Sequence, residues 1–229
     1  MFRKHNKHLT KSYLINGSIH LLLGILFLCF FVSLGLTIAL YVRPFYYLGM
    51  EQISIETGYS TAEIKENYDA LIDWCSPFAK GELSFPTLPA SESGLSHFHE
   101  VKDIFRFFFA LLLLTPVPIA SLIFLEHRRG SRSYLWISPL ICCILPCIIA
   151  IGCAVSFDRV FVLFHEIVFR NDDWLFSYVT DPIILFLPER FFLQCAVIIL
   201  ATVFLGSLTL FSLFLVSRRK ACYDKLTKR

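Results

Sequence analysis

Most familiar catalytic signatures are missing from this 229-residue chain. It has no Gly-x-Ser-x-Gly elbow and no glycine-rich phosphate loop, which excludes the common serine-hydrolase and nucleotide-binding plans. The zincin spacing His-Glu-x-x-His is absent too, because His165-Glu166-Ile167-Val168 is followed by Phe169. The 8 cysteines form no Cys-x-x-Cys motif. Cys222 lies beyond the last apolar run and Cys75 alone falls in the long segment between the first two, with no partner there, so no disulfide framework can be written. Charge is scarce as well, at 17% of residues. No internal repeat or low-complexity tract breaks the chain into separate units.

What the chain has in abundance is apolar surface. It is 56% hydrophobic with a mean hydropathy of +0.64, more than a soluble domain of this length can bury. Four runs are long enough to cross a bilayer: 21–42, 104–125, 134–155 and 191–216. A hydrocarbon core of about 30 Å needs roughly 20 apolar residues in a helix, and a helix satisfies its own backbone groups there. The expectation is an all-α integral membrane protein, a single membrane domain over 1–229 with four transmembrane helices. The first run exceeds the usual signal-peptide core, and no small-x-small cleavage site follows it, so it reads as retained.

Basic residues orient the spans. Thirteen of the 21 Lys and Arg fall in the N-terminal segment, the 126–133 loop and the C-terminal segment. Among them are Arg3, Lys4, Lys7, Lys11, Arg128, Arg129, Arg132, Arg218, Arg219, Lys225 and Arg229, against Glu126 and Asp224 alone among the acids. The positive-inside rule then puts both termini in the cytoplasm and 44–103 and 156–190 outside. The net charge of +3 is a basic inner rim beside an acidic outer face, and no nucleic-acid partner is expected.

The outer segments read as an extracellular cap. Ser60-Thr61-Ala62-Glu63 fits a capping box, and Ile64, Tyr68, Leu71 and Ile72 then recur at helical spacing up to Trp74. That is an amphipathic helix, expected to lie on or near the bilayer with its acidic face solvated. Phe85-Pro86-Thr87-Leu88-Pro89 must be extended. Ser96 is a candidate cap for the helix that carries His97. Pro116, Pro118, Pro139 and Pro146 favour kinks in the second and third spans. The 156–190 segment is too charged for a span and too apolar for a free loop, and Trp174 and Tyr178 suit an interface.

Histidine is where chemistry can lie. His97, His99 and His165 fall on the outer side, and the other histidines at or near the inner one. Imidazole titrates near neutral pH and can take a proton from an amine or give one to an oxyanion. On a helix His97 and His99 diverge, with Glu100 sharing the His97 face. His165 sits among Phe161, Leu163, Phe164 and Val168, surroundings that favour the neutral ring, and Asp158 falls on its helical face. The bland alternative is a set of interfacial histidines bonded to backbone. A metal site assembled across segments, serving a membrane hydrolase, and a non-catalytic four-span accessory protein also stay open.

The runs His97-Phe98-His99-Glu100-Val101-Lys102 and Phe164-His165-Glu166-Ile167-Val168-Phe169-Arg170-Asn171-Asp172-Asp173-Trp174-Leu175 carry a further signal. With Asp181-Pro182-Ile183-Ile184 and Leu187-Pro188-Glu189-Arg190-Phe191-Phe192 behind them, the sequence resembles the lipoprotein intramolecular transacylase (Lit) family along nearly its whole length. The resemblance implies a bacterial cell-membrane enzyme with its site at the outer leaflet. Its substrate would be a diacylated lipoprotein, presented among membrane phospholipid. The sn-2 acyl chain of the S-diacylglyceryl cysteine would move to the α-amine, giving the lyso form. It implies His97 and His165 as the catalytic pair, with no cofactor and no metal. Glu100, Asp158, Arg159, Glu166, Asn171, Asp172, Asp181 and Glu189 are supporting or substrate-binding candidates beside them.

Overall fold

The structure is a computed structural model that describes residues 2–227, with side chains from 17 to 220 and at Tyr223. The basic side chains expected inside at Arg3, Lys4, Lys7, Lys11, Lys225, Lys228 and Arg229 lie outside the described residues, as do those of Cys222 and Asp224. Among the described residues there is no strand. The helices are α1 (Phe2–Tyr41), α2 (Pro44–Tyr47), α3 (Met50–Thr57), α4 (Thr61–Trp74), α5 (Glu92–Leu114), α6 (Pro116–Arg128), α7 (Tyr134–Val168), α8 (Ile183–Phe186) and α9 (Glu189–Thr227).

Four membrane-length stretches emerge from these: 17–41 in α1, α5 with α6, α7, and 189–220 in α9. They form the expected all-α bundle. α1 packs against α5, α6, α7 and α9. Small residues allow the close approach. A Cβ on Gly35 of α1 would sit 2.8 Å from the Cα of Ile199 on α9, a backbone atom that cannot step aside. Leu23, Phe27, Ile119, Leu135, Cys142, Val203 and Leu210 fill the bundle core.

Proline divides the second span, as expected, but not the third. The second span divides where Pro116 lacks the backbone donor that would continue α5, although Thr115 keeps helical angles (φ −67°, ψ −29°). α7 carries Pro139 and Pro146 within it. Its one non-helical residue is Ser156 (φ −162°, ψ 98°), at the end of the apolar run rather than at either proline.

A cap closes one end of the bundle. The Ser60–Glu63 capping box forms as expected. The apolar face of the amphipathic helix α4 turns inward, into the cap. Ile64, Tyr68, Leu71 and Ile72 are buried in a second core with Tyr46, Phe85, Leu88, Phe98, Ile183 and Phe186. Tyr46 stacks on Tyr68 with ring centroids 3.5 Å apart, and its hydroxyl donates to the Phe186 carbonyl at 2.8 Å. The acidic face of α4 is partnered rather than merely solvated. Asp69 accepts from Arg43 at 3.0 Å, Tyr47 at 2.5 Å and Lys65 at 2.5 Å, and Asp73 pairs with Arg43. Burial pushes the Asp69 carboxyl up, but Lys65, Tyr47 and Arg43 outweigh it and hold it below the usual carboxylate range. The cap core ties this end of the spans into one rigid rim, on which the two histidines sit.

Candidate active site

His97 stands in the second turn of α5. That helix begins at Ser91, not near Ser96: the Ser91 hydroxyl accepts from the Gly94 N–H at 3.0 Å. Asp181, 90 residues further on and only 3% exposed, holds this start in place. It accepts the Ser91 N–H at 2.7 Å, the Ser91 hydroxyl at 2.8 Å and the Thr180 hydroxyl at 2.6 Å. A carboxylate is favoured at a helix N-terminus. Gly94 lies against Asp181 and Phe176 with no room for a Cβ.

His165 stands in the last turn of α7. Its Nδ1 lies 2.7 Å from the Phe161 carbonyl oxygen, one turn back. A carbonyl can only accept, so Nδ1 carries the proton, and the neutral ring keeps its lone pair on Nε2.

Packing brings the two rings together across 68 residues of sequence. Their centroids are 5.8 Å apart, with a tilt of 35°. Both are buried, at 4% exposure for His97 and 8% for His165. Aromatic rings surround them. Phe169 is 4.5 Å and Phe176 5.5 Å from His97, while Phe161 is 4.2 Å and Trp174 4.8 Å from His165. Such surroundings favour uncharged imidazole until a proton arrives from a reactant.

The supporting candidates divide. Glu100 and Asn171 join the pair: Glu100 Oε2 is 3.8 Å from His97 Nδ1, and the Asn171 amide donates to Glu100 Oε1 at 2.8 Å. Asp181 acts from behind, on the start of α5. Glu166 and Asp172 are exposed and line an open depression with Arg170, Asn171, Trp174 and Leu175. Asp158 is not a partner of His165. It is exposed and lies beside the Glu189 carboxyl at the start of α9. Arg159 is exposed.

Several members escaped the sequence reading. Trp174, expected at the interface, is a wall of the site, and its indole N–H donates to the Asn171 carbonyl at 2.8 Å. Arg170 takes a left-handed φ of 59°, which turns the chain back over the histidines just after α7. Phe169 and Phe176 gave no signal beyond their apolar character. His99 points away, as its spacing required, bonding Glu82 at 3.0 Å and packing on Trp74. Burial pushes the Cys75 thiol up to about 12, so it is not a thiolate nucleophile.

Comparison with known proteins settles the family. The description that fits the sequence is lipoprotein intramolecular transacylase Lit, matched over residues 21–192. The chain belongs to the Lit family. Solved structures agree. The membrane-integral Lit of Bacillus cereus superimposes with a TM-score of 0.84 at 31% identity, covering 90% of this chain and 98% of that one. Two forms of that Lit with a single histidine replaced, by arginine and by alanine, give TM-scores of 0.82 and 0.81 at 29% and 30% identity. They cover 95% and 93% of this chain and 99% of each of theirs. A comparison with curated proteins finds no match. Membership makes this a multi-pass membrane enzyme, a lipoprotein intramolecular transacylase, with the four-span Lit architecture.

Proposed function

We propose that the chain moves the sn-2 acyl chain of an S-diacylglyceryl cysteine to the α-amine of that cysteine, with His97 and His165 as the catalytic pair. The observation that carries the reading is the buried imidazole pair, 5.8 Å apart between centroids, at one rim of a membrane bundle. Both reactants belong to one lipoprotein molecule, so holding them in register supplies much of the acceleration.

The proton inventory suits two imidazoles. The α-amine, with a pKa of about 8, arrives largely as an ammonium. One ring takes a proton from it and frees the nitrogen lone pair. The amine then attacks the ester carbonyl, and the second N–H proton passes to the other ring. The bond between the acyl carbonyl carbon and the glyceryl oxygen breaks, an amide C–N bond stands in its place, the glyceryl oxygen leaves with a proton from the first ring, and the second ring releases its proton to solvent. No water or redox partner enters. His165 is the acceptor during attack, because its Nδ1–H is already spent on Phe161 and Nε2 is free. His97 gives the proton to the leaving oxygen, and its N–H steadies the oxyanion.

The basic 126–133 loop supports an outward cap, with the site at the outer leaflet and both termini in the cytoplasm. The acyl chains then enter from the bilayer, and the polypeptide leaves on the aqueous side.

Mass spectrometry of one lipoprotein's N-terminal lipopeptide tests the function. The chain, His97→Ala and His165→Ala are expressed in a bacterium that leaves the amine free. Fragment ions showing one acyl group on nitrogen, at unchanged total mass and only with the unsubstituted chain, are the expected result. An unchanged lipopeptide with well-expressed protein overturns it, and loss of activity on chelation turns the reading to a metal-dependent hydrolase.

A further inference from the structure

We infer that Glu100, held by Asn171, is the positioning residue that keeps the His97 proton on Nδ1 and so leaves Nε2 to exchange protons with the substrate. The inference rests on the histidine pair proposed above.

The geometry is unusual. His97 Nδ1 and Glu100 Oε2 are both buried, and neither has a hydrogen-bond partner among the described residues. They face one another at 3.8 Å. A buried polar atom without a partner is costly, and two of them together point to a bond that closes when the site is engaged. Catalytic hydrogen bonds are often long in the free enzyme and tighten on the substrate. A shift of about 1 Å brings this pair to hydrogen-bond distance.

The other carboxylate oxygen is not free to move. Asn171 donates to Oε1 at 2.8 Å. The Asn171 side-chain oxygen accepts the Asp173 N–H at 3.2 Å, which fixes the amide's orientation. The Asn171 main-chain carbonyl accepts the Trp174 indole N–H at 2.8 Å, and that indole packs against His165. Asn171 is therefore tied to both rings, to His97 through Glu100 and to His165 through Trp174. Since Glu100 is a carboxylate, it can only accept from His97. Both histidines then share one arrangement, Nδ1–H tied back to protein and Nε2 open. Glu100 also steadies the imidazolium that His97 becomes when it takes the ammonium proton.

An amide swap tests this. In Glu100→Gln, Asn171 still demands an oxygen, so the new amide turns its N–H₂ toward His97 and forces the wrong tautomer. Adding Asn171→Asp reverses the demand: the new carboxylate accepts from that N–H₂, and the amide oxygen faces His97 again. The full chain in lipid nanodiscs is assayed on a synthetic S-diacylglyceryl-cysteinyl lipopeptide, reading N-acyl product by fragment-ion mass spectrometry. Glu100→Gln is expected to lower kcat by roughly 100-fold or more, as wrong-tautomer substitutions do, with KM changed less than about twofold. The double variant is expected to regain at least about tenfold of that loss. A purely structural role would give no such recovery.

Glu100→Gln with an undiminished kcat, beside an inactive His97→Ala, overturns the inference and leaves the histidine reading standing. A folded double variant no better than Glu100→Gln overturns it also. An active His97→Ala removes the histidine reading itself. ¹⁵N-histidine NMR of the unsubstituted chain is independent of any variant's folding: His97 with its proton on Nδ1 supports the inference, and on Nε2 overturns it.

Discussion

The Nδ1–H of His165 donates to the carbonyl oxygen of Phe161 at 2.7 Å. One hydrogen bond inside a single helical turn thus decides which nitrogen of His165 is left to exchange a proton with a reactant. Removing the ring removes a general acid–base group, whose contribution is about 10²- to 10⁴-fold. His165→Ala is expected to lower kcat by that order while the protein still folds, because the ring has aromatic neighbours rather than a salt-bridge network. Rates on a diacylated lipopeptide, measured beside a thermal melt in detergent, check it. A His165→Ala variant as fast as the parent sinks the assignment.

Asp181 should matter for a different reason. It touches neither ring, yet it holds the Ser91 N–H and hydroxyl where α5 starts. Asp181→Ala leaves a buried amide without its acceptor and releases the helix that sets the depth of His97. Hydrogen bonds to a charged group are worth about 1.5–3 kcal/mol, and a loss of about 3 kcal/mol of stability is expected. Activity per folded molecule should fall as well, because reacting groups displaced by about 1 Å can lose about 100-fold. Asp181→Asn keeps one acceptor oxygen and should fall between the two. A melting temperature for Asp181→Ala equal to the parent's counts against the clamp.

The cap gives a third expectation. Ile64 is completely buried in the cap core, and truncating such a side chain typically costs about 2–5 kcal/mol. The spans hold themselves together through bilayer packing and their own backbone bonds. Ile64→Ala should therefore loosen the cap before the bundle. Limited proteolysis in nanodiscs should cut first within 44–103 and leave the spans intact. Simultaneous loss of cap and spans would show that they unfold as one unit.

Local patterns were legible in the sequence and long-range partners were not. The four apolar runs, the Ser60–Glu63 box and the divergence of His97 from His99 are matters of spacing within one element, and each appears in the structure. The break at Ser156 coincides with the end of the third apolar run, although the prolines were the expected place. What spacing cannot reach is the closing of distant segments. Asp181 finds Ser91 across 90 residues, and Trp174 turns from interface to wall because Arg170 reverses the chain. Asp158 had the right helical face for His165 but faces α9, which no periodicity within α7 reveals. The acidic side of α4 looked solvated because Arg43, which neutralises it, lies on the far side of α3.

The least anticipated contact leads to the last prediction. His20 on α1 and Glu126 on α6 meet at 2.8 Å, 106 residues apart in sequence. Glu126 is fully buried, and Arg129 reaches its other oxygen at 3.4 Å. This pair sits at the opposite end of the bundle from His97 and His165. Charge buried this way is expensive to strand: removing one partner of a buried pair typically costs about 3–5 kcal/mol, whereas apolar replacement of both is often neutral. His20→Ala should thus melt well below the parent. His20→Leu combined with Glu126→Leu should recover most of the difference, since two apolar side chains leave no buried charge unpaired and the exposed Arg129 keeps its water. Acyl transfer per folded molecule should stay at the parent's value in both. Thermal melts and lipopeptide turnover on the same preparations separate the effects. If the double replacement melts no higher than His20→Ala, the pair specifies helix packing through its polarity rather than burdening it. If turnover falls with the melting temperature held, the two ends of the bundle are coupled.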